Sequence, residues 1–131
     1  MNLIYITRND HQKLIDLLHA KVSLDDNDQA LLSELTRAVI VEPKAIPGDV
    51  VTMNSLVVFI DIETGRTYEY WLVFPSAVDL NQNKISALSP VGCALLGSKI
   101  GAIISFKTPA GQKKLRVEKI LHQPEAAGHY E

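Results

Sequence analysis

Three aspartates within four positions are the side chains of this sequence that most resemble a site for chemistry. Asp25, Asp26 and Asp28 lie in a polar stretch between two amphipathic segments. Paired carboxylates at such a turn can hold Mg²⁺ through one or two ligands, while a partner or substrate supplies the others. The same aspartates can instead cap the helix that follows, or make a polar contact with a partner protein. The residue types therefore leave a metal-assisted role and two simpler roles open.

The other reactive side chains are scattered along the chain. The four histidines, His11, His19, His122 and His129, lack the spacing of zinc ligands. Cys93 is the one cysteine and stands among small and apolar residues, which favours a core position over a nucleophile. The sequence contains neither a nucleophile elbow nor a glycine-rich phosphate loop. We therefore expect no catalytic residue, no metal and no cofactor, and we interpret the protein as a non-enzyme.

Basic residues collect on the last predicted strand. Cations interleaved with aromatic side chains can bind nucleic acid. The aromatic residues alternate as core and half-buried strand positions do, so we interpret the basic patch as a solvated face. The net charge of −2 gives the whole chain no basic excess, and we expect no direct specific binding to DNA. The patch consists of Lys113, Lys114, Arg116 and Lys119; the aromatic residues are Tyr68, Tyr70, Trp71 and Phe74.

Two short amphipathic helices are predicted on either side of the acidic turn. Thr7 followed by Asp10 is typical of a helix N-terminus, and apolar residues at helical spacing continue to Val22. A second helix is predicted over residues 28–39. Helices of about 12–14 residues form an antiparallel hairpin only roughly 20 Å long. If the hairpin had to reach a deeply buried active centre of a partner, it would be too short to deliver a carboxylate there, and this favours capping for the aspartates.

The spacing of the apolar residues changes at Val50, after a segment rich in proline and glycine. Residues 42–49 include two prolines and one glycine, which is typical of a linker. Beyond it, apolar residues alternate as in strands: a β-hairpin turns at Gly65, and further strands are predicted over residues 85–88, 103–106 and 114–121. We therefore divide the chain into a helical hairpin, residues 1–44, and a domain of four or five antiparallel strands, residues 45–131. The fold class is α+β.

One short helix interrupts the predicted strands. Ser89 is a suitable N-cap, and Pro90 occupies the first helical position, where a missing N–H costs nothing. Gly97 lies where a left-handed residue commonly ends a helix. Small apolar residues fill the space between these signals, so the helix is expected to pack against the sheet.

Three motifs of the second domain resemble one protein family. They are Val50-Val51-Thr52-Met53-Asn54-Ser55, the helix start Leu88-Ser89-Pro90-Val91-Gly92 with Ala94-Leu95-Leu96-Gly97, and Gln123-Pro124-Glu125-Ala126-Ala127-Gly128. Together they resemble the Rnk family, called regulator of nucleoside diphosphate kinase. That family is similar in its C-terminal half to the transcript cleavage factors GreA and GreB.

The resemblance implies a fold, a partner and a function. The second domain would be FKBP-like, and the N-terminal hairpin would be a shortened relative of the Gre coiled coil. The partner would be bacterial RNA polymerase, bound near its secondary channel in competition with Gre-type factors. The protein would then act as a transcription regulator that affects nucleoside diphosphate kinase levels. Two alternatives stay open: a transcript cleavage or elongation factor that uses the acidic turn, and a module that binds the kinase directly.

We expect the polymerase contact at exposed ends of strands and helices in the second domain. Small or apolar residues at such ends suit a protein interface, although capping and folding requirements alone could also explain them. A polar contact of the hairpin tip, Asp25, Asp26 and Asp28, is a further hypothesis. The candidate contact residues are Met53, Asn54, Ser55, Ser89, Pro90, Val91 and Gly92.

The amino-acid composition indicates the cellular compartment of the protein. A single cysteine excludes a disulfide framework within the chain and suits a reducing compartment. Residues 1–6 lack a basic region and a long apolar run, so we expect no signal peptide; residues 3–6 are a possible short strand. No apolar stretch approaches the ~20 residues of a membrane span. The sequence thus predicts a cytoplasmic protein that does not bind membranes.

Overall fold

The computed structural model describes residues 4–129. Within this range, a pair of helices and two short strands precede a five-stranded sheet that carries one further helix. In chain order the elements are β1 (Tyr5–Thr7), α1 (Arg8–His19), α2 (Asp26–Arg37), β2 (Val39–Val41), β3 (Leu56–Asp61), β4 (Thr67–Val73), β5 (Lys84–Ser86), α3 (Pro90–Leu95), β6 (Ile103–Thr108) and β7 (Gly111–His122). Single 3₁₀ turns lie at Pro43–Ala45, Pro75–Ala77 and Leu80–Gln82.

The predicted helical hairpin is confirmed, with helices of 12 residues each. The Thr7 side chain accepts a hydrogen bond from the N–H of Asp10, as its position predicts. The prediction that the second helix runs to residue 39 is wrong, because Ala38 is extended and Val39–Val41 form strand β2, parallel to β1. Three consecutive β-branched residues favour a strand over a last helical turn. Of the strand predicted over residues 3–6, Leu3 lies outside the described residues, and the observed strand is β1.

The main sheet has the strand order β5-β4-β3-β7-β6. Its neighbouring strands are antiparallel except for β4 and β5, which are parallel. The prediction that all strands of the sheet are antiparallel is therefore wrong for β5, an edge strand. The connection of two 3₁₀ turns between β4 and β5 is long enough to carry the chain back before β5 begins, which a tight hairpin turn could not do. Two register shifts between β3 and β7 add to the curl of the sheet.

The helical hairpin packs on the sheet domain. Its buried leucines belong to the same hydrophobic core as residues that precede β3 and residues of α3. Burial of each large aliphatic side chain contributes about 1.5–3 kcal/mol, which offsets the marginal stability of isolated helices of this length. The boundary between two domains at residue 44 remains a prediction, because the hydrophobic core contains residues from both sides of it. No helix within residues 4–129 is long and apolar enough to cross a membrane. The core leucines of the hairpin are Leu14, Leu18, Leu31 and Leu35.

Candidate functional site

The start of α3 forms a hydrogen-bonded corner at the end of β5. The Ser89 hydroxyl accepts a bond of 3.1 Å from the N–H of Gly92 and donates one of 2.7 Å to the Ser86 carbonyl. The Ser86 hydroxyl in turn accepts a bond from the N–H of Leu88. Pro90 follows as the first helical residue and is exposed to solvent. The capping predicted for Ser89 and Pro90 is confirmed, and the corner is rigid because both serine hydroxyls are engaged.

Close backbone packing fixes this corner on the sheet. A Cβ atom at Gly92 would lie 1.9 Å from the carbonyl oxygen of Ser86, so no larger residue fits without moving α3. At the other end of the helix, Gly97 has a φ of +76°, as its position predicts. A Cβ atom at Gly97 would also lie 2.5 Å from the Cβ of Ile4. Glycine at both ends lets α3 sit directly against its neighbours.

The candidate contact residues differ in their exposure. Asn54 and Pro90 are exposed, whereas Ser89 and Val91 are half-buried. Asn54 adopts a left-handed φ of 64° in the turn before β3, where its N–H donates to the carbonyl of Leu72. In this conformation the buried candidates can act on a partner only by holding the exposed ones in place. The buried candidates are Met53, Ser55 and Gly92.

A buried polar network connects the turn before β3 to helix α1 and to the segment that follows β7. The Thr52 hydroxyl donates to the Glu125 carboxylate at 2.7 Å, and the N–H of Thr52 donates to the Ser55 hydroxyl. The N–H of Met53 donates to the Asp10 carboxylate at the start of α1, at 3.2 Å. Burial, and then the negative charge of Glu125, raise the pKa of Asp10 from its ordinary value of 3.8 to about 6. Sequence analysis missed this carboxylate pair, because 115 positions separate its members.

The acidic turn is occupied by capping. Asp25 accepts a hydrogen bond from the N–H of Asp28 at 2.7 Å, and Asp28 accepts one from the N–H of Asp25 at 3.2 Å. Lys21 also donates to Asp28 at 2.6 Å, and this bond is the main reason why the pKa of Asp28 is lowered. Asp26 is exposed in the first turn of α2. The capping interpretation is confirmed for Asp25 and Asp28.

The hairpin tip adjoins the α3 corner. The side-chain amide of Asn27 donates to the carbonyl of Leu88 at 2.5 Å. Asp26 and Pro90 both line an open groove of about 670 Å³ between α2, α3 and β6. Cys93 lies in the same groove, where burial raises the pKa of its thiol to about 11 and keeps it protonated at neutral pH. The hairpin tip and the start of α3, which lie far apart in the sequence, thus form one continuous surface.

His11, His122 and Lys113 have structural partners. A ring nitrogen of His11 lies 3.0 Å from the carbonyl oxygen of Leu35, and His122 packs against Trp71. Lys113 forms an ion pair with the buried carboxylate of Asp61. Among the described residues, no group of three or more His, Cys, Asp or Glu side chains is placed to hold a metal ion.

Replacing Asp28 with alanine is expected to lower the free energy of unfolding by about 1–3 kcal/mol, because it removes the capping box and leaves Lys21 without its buried partner. Replacing exposed Asp26 with alanine is the matched control and should change stability by less than about 0.5 kcal/mol. Urea denaturation of both variants measures the difference. Equal effects would contradict a structural role that is specific to Asp28.

Comparison with known proteins agrees with this architecture. A family model described as the C-terminal domain of the transcription elongation factors GreA/GreB matches residues 46–122. A regulator of nucleoside diphosphate kinase from Escherichia coli (strain K12) is 41% identical over 102 residues, which cover 77% of this chain and 75% of the relative. These relatives are named as a regulator and as elongation factors rather than as enzymes.

Two GreA/GreB proteins extend the comparison. A solved prokaryotic transcription elongation factor GreA/GreB from Nitrosomonas europaea superimposes with a TM-score of 0.79 at 36% identity, covering 93% of this chain and 100% of that one. GreA from Alkaliphilus oremlandii is 35% identical over 100 residues, 76% of this chain but 63% of the GreA. The chain therefore belongs to the family of regulators of nucleoside diphosphate kinase and shares the C-terminal domain of GreA and GreB, which makes it a Gre-like, transcription-associated regulator.

Proposed function

We propose that this protein binds bacterial RNA polymerase near its secondary channel and competes there with Gre-type factors without cleaving RNA. The observation that carries the proposal is the exposed Pro90 corner, held rigidly on a GreA/GreB-type domain beside the hairpin tip. A change in nucleoside diphosphate kinase levels would then be an indirect consequence of altered transcription.

The corner has the physical properties of a docking site. Its backbone is fixed by the bonds of Ser86 and Ser89 and by the close approach at Gly92, so little conformational freedom is lost on binding. Pro90 and Val91 offer an apolar contact, and Asp26 places a carboxylate at its rim. An apolar centre with a polar rim is the usual composition of protein interfaces. Asn54, exposed at the turn before β3, is a candidate for a secondary contact.

Geometry argues against the alternative of transcript cleavage. Asp25 and Asp28 already accept hydrogen bonds within the capping box, and the 12-residue helices lie against their own domain. Incubation with backtracked elongation complexes and Mg²⁺ is expected to release no short 3′ RNA. Release that disappears in the Asp25→Ala and Asp26→Ala variants would overturn this part of the proposal.

Replacing Pro90 with glutamate is expected to weaken binding to core polymerase at least about tenfold, which corresponds to ~1.4 kcal/mol. Glutamate is well tolerated at the first position of a helix, because it faces the positive end of the helix dipole. The fold should therefore survive while the apolar contact is lost. The measurement is a competition binding assay in which a Gre factor displaces labelled protein.

Pro109→Glu is the matched control, since Pro109 is an exposed proline in the turn between β6 and β7, away from the corner. The control should bind polymerase like the unmodified protein. Equal binding of both variants, or binding that excess Gre factor does not displace, would contradict docking through the corner. A titration of purified kinase is the test of the direct alternative, and we expect no association.

A further inference from the structure

The face of the sheet that points away from the core is defined by strand register. On β3, Val57 and Phe59 belong to the core, whereas Leu56, Val58 and Ile60 alternate with them and point to the other side. Residues paired with this second set lie on the same face. We call the resulting surface the outer face. Its members on the flanking strands are Thr67, Glu69 and Trp71 of β4, Lys84 of β5, Lys114, Arg116, Lys119 and His122 of β7, and Ile103, Ser105 and Lys107 of β6.

The outer face is positively charged although the protein is not. Its five cations are opposed by Glu69, by Asp79 and by Glu118, which leaves a net charge of +2. Asp79 forms a β-bridge with Lys84, and Glu118 pairs with Arg116 at 2.8 Å. The whole chain has a net charge of −2. Such segregation of charge creates a local attraction for phosphate groups that the total charge conceals. The cations are Lys84, Lys107, Lys114, Arg116 and Lys119.

An aromatic pair lies within the same surface. The rings of Trp71 and His122 are 5.7 Å apart with an angle of 57° between their planes, and both side chains are half-buried. They lie on either side of Leu56, and Lys84 flanks Trp71 on the next strand. The sequence-based interpretation grouped Trp71 with Tyr68 and Tyr70, but those two tyrosines stack on Phe59 on the opposite face. Trp71 is thus separated from the core aromatic residues and half-buried on the outer face.

We propose that the outer face binds single-stranded RNA. Unpaired bases stack on aromatic rings while their phosphates meet neighbouring cations, and this face offers both features. Duplex RNA is a less suitable ligand, because its bases are stacked inside the helix and cannot stack on Trp71. An acidic protein is also less suitable, because it would contact the cations but would not require the aromatic pair. The outer face lies on the opposite side of the sheet from α3, since Leu95 of this helix and the following Leu96 join the core. RNA and the partner of the Pro90 corner can therefore be bound together.

The test is a titration of the full chain with an oligouridylate of about 10 nucleotides, near the span of one small single-strand-binding domain. Trp71 is the single tryptophan of the chain, so quenching of its fluorescence reports stacking at this position directly. We expect saturable quenching and an affinity that falls as salt rises from about 50 to 200 mM. Replacement of Trp71 by leucine should weaken RNA binding about tenfold, whereas replacement by phenylalanine should largely preserve it. Because these variants lack the tryptophan, their binding is measured by the fluorescence anisotropy of labelled RNA.

Two matched double variants test how much the cations contribute to RNA binding. Lys114→Ala with Lys119→Ala should weaken RNA binding at least about tenfold and reduce the salt dependence by roughly two phosphate contacts. Lys13→Ala with Lys99→Ala removes the same charge outside the outer face and should leave binding unchanged. Circular dichroism checks that each variant is folded.

Several outcomes would overturn the proposal. They are absence of binding at low salt, equal losses in the two double variants, and equal affinity for duplex RNA without quenching of Trp71. Binding of poly-aspartate with the affinity seen for RNA, lost in the same Lys114 and Lys119 variant, would instead assign the outer face to an acidic protein. Loss of RNA binding on Pro90→Glu, with the outer face intact, would show that RNA binds at the corner.

Discussion

Gly92→Ala is expected to lower the free energy of unfolding by about 2–4 kcal/mol, although alanine is normally the better helix former. The added Cβ would lie 1.9 Å from the carbonyl oxygen of Ser86 and 3.0 Å from the Cα of Ala87. Both are backbone atoms, which cannot rotate away as a flexible side chain can. Relief of the clash requires α3 to separate from β5, and that movement also breaks the hydrogen bond between Ser89 and Ser86.

Gly48→Ala supplies the matched control. No heavy atom lies within 4 Å of a Cβ built at Gly48, so the same substitution there should change stability by less than about 1 kcal/mol. Guanidinium denaturation followed by circular dichroism measures both variants. Binding to core polymerase should weaken only in the Gly92 variant, because the Pro90 corner is displaced with α3. Similar stability of the two variants would contradict the observed approach of α3 to β5.

Asp10→Asn is expected to stabilise the protein at pH 8 by about 1–3 kcal/mol, because the raised pKa of Asp10 means that its ionised form destabilises the folded state. The Asp10 carboxylate is 4% exposed, faces the negative charge of Glu125, and has its pKa raised from 3.8 to about 6. Asparagine has nearly the same shape and keeps an oxygen that accepts the bond from the N–H of Met53. The substitution removes the charge while it preserves the contact between α1 and the turn before β3.

The pH dependence has a definite sign. Because the pKa of Asp10 is higher in the folded protein than in the unfolded chain, the folded state binds the proton more tightly between pH 3.8 and about 6. The contribution of Asp10 to stability is therefore complete below pH 3.8 and is lost as the pH rises through 6. The advantage of the Asp10→Asn variant should be largest above pH 7 and close to zero at pH 4.

Urea denaturation at pH 4, 6 and 8 measures this profile, with the exposed Asp16 of the same helix providing the control Asp16→Asn. The control should show no comparable gain at pH 8. A variant that is less stable than the unmodified protein at every pH would mean that the Asp10 charge supports the structure. A constant difference across pH would attribute the effect to shape rather than to charge.

Local signals in the sequence predicted local structure well. The caps at Thr7 and Ser89 and the left-handed Gly97 were each predicted from residues within four positions, because the hydrogen bonds of helix ends join near neighbours. The same reasoning favours a cap at the acidic turn, where Asp25 and Asp28 form a capping box. The motifs of the second domain were sufficient to predict its family and its α+β fold.

The predictions of secondary structure were wrong where a segment distant in sequence pairs with the residues concerned. Helix α2 ends at Arg37 because β1 is available to pair with Val39–Val41, and β5 is parallel because of the path of the preceding loop. Neither partner lies near enough in sequence to appear in a helical or alternating pattern. Burial of Met53 and Ser55 likewise depends on packing against α1 and the C-terminal turn.

The sequence by itself determined the caps and the alternation of the strands, since both depend on spacing along the chain. Tertiary structure decided which of those residues meet. It brought the hairpin tip to the Pro90 corner, placed Asp10 near Glu125, and put Trp71 and a row of cations on the outer face. The physical reason is that burial, electrostatic repulsion and charge clustering depend on distances in space, which long-range strand pairing and core packing set.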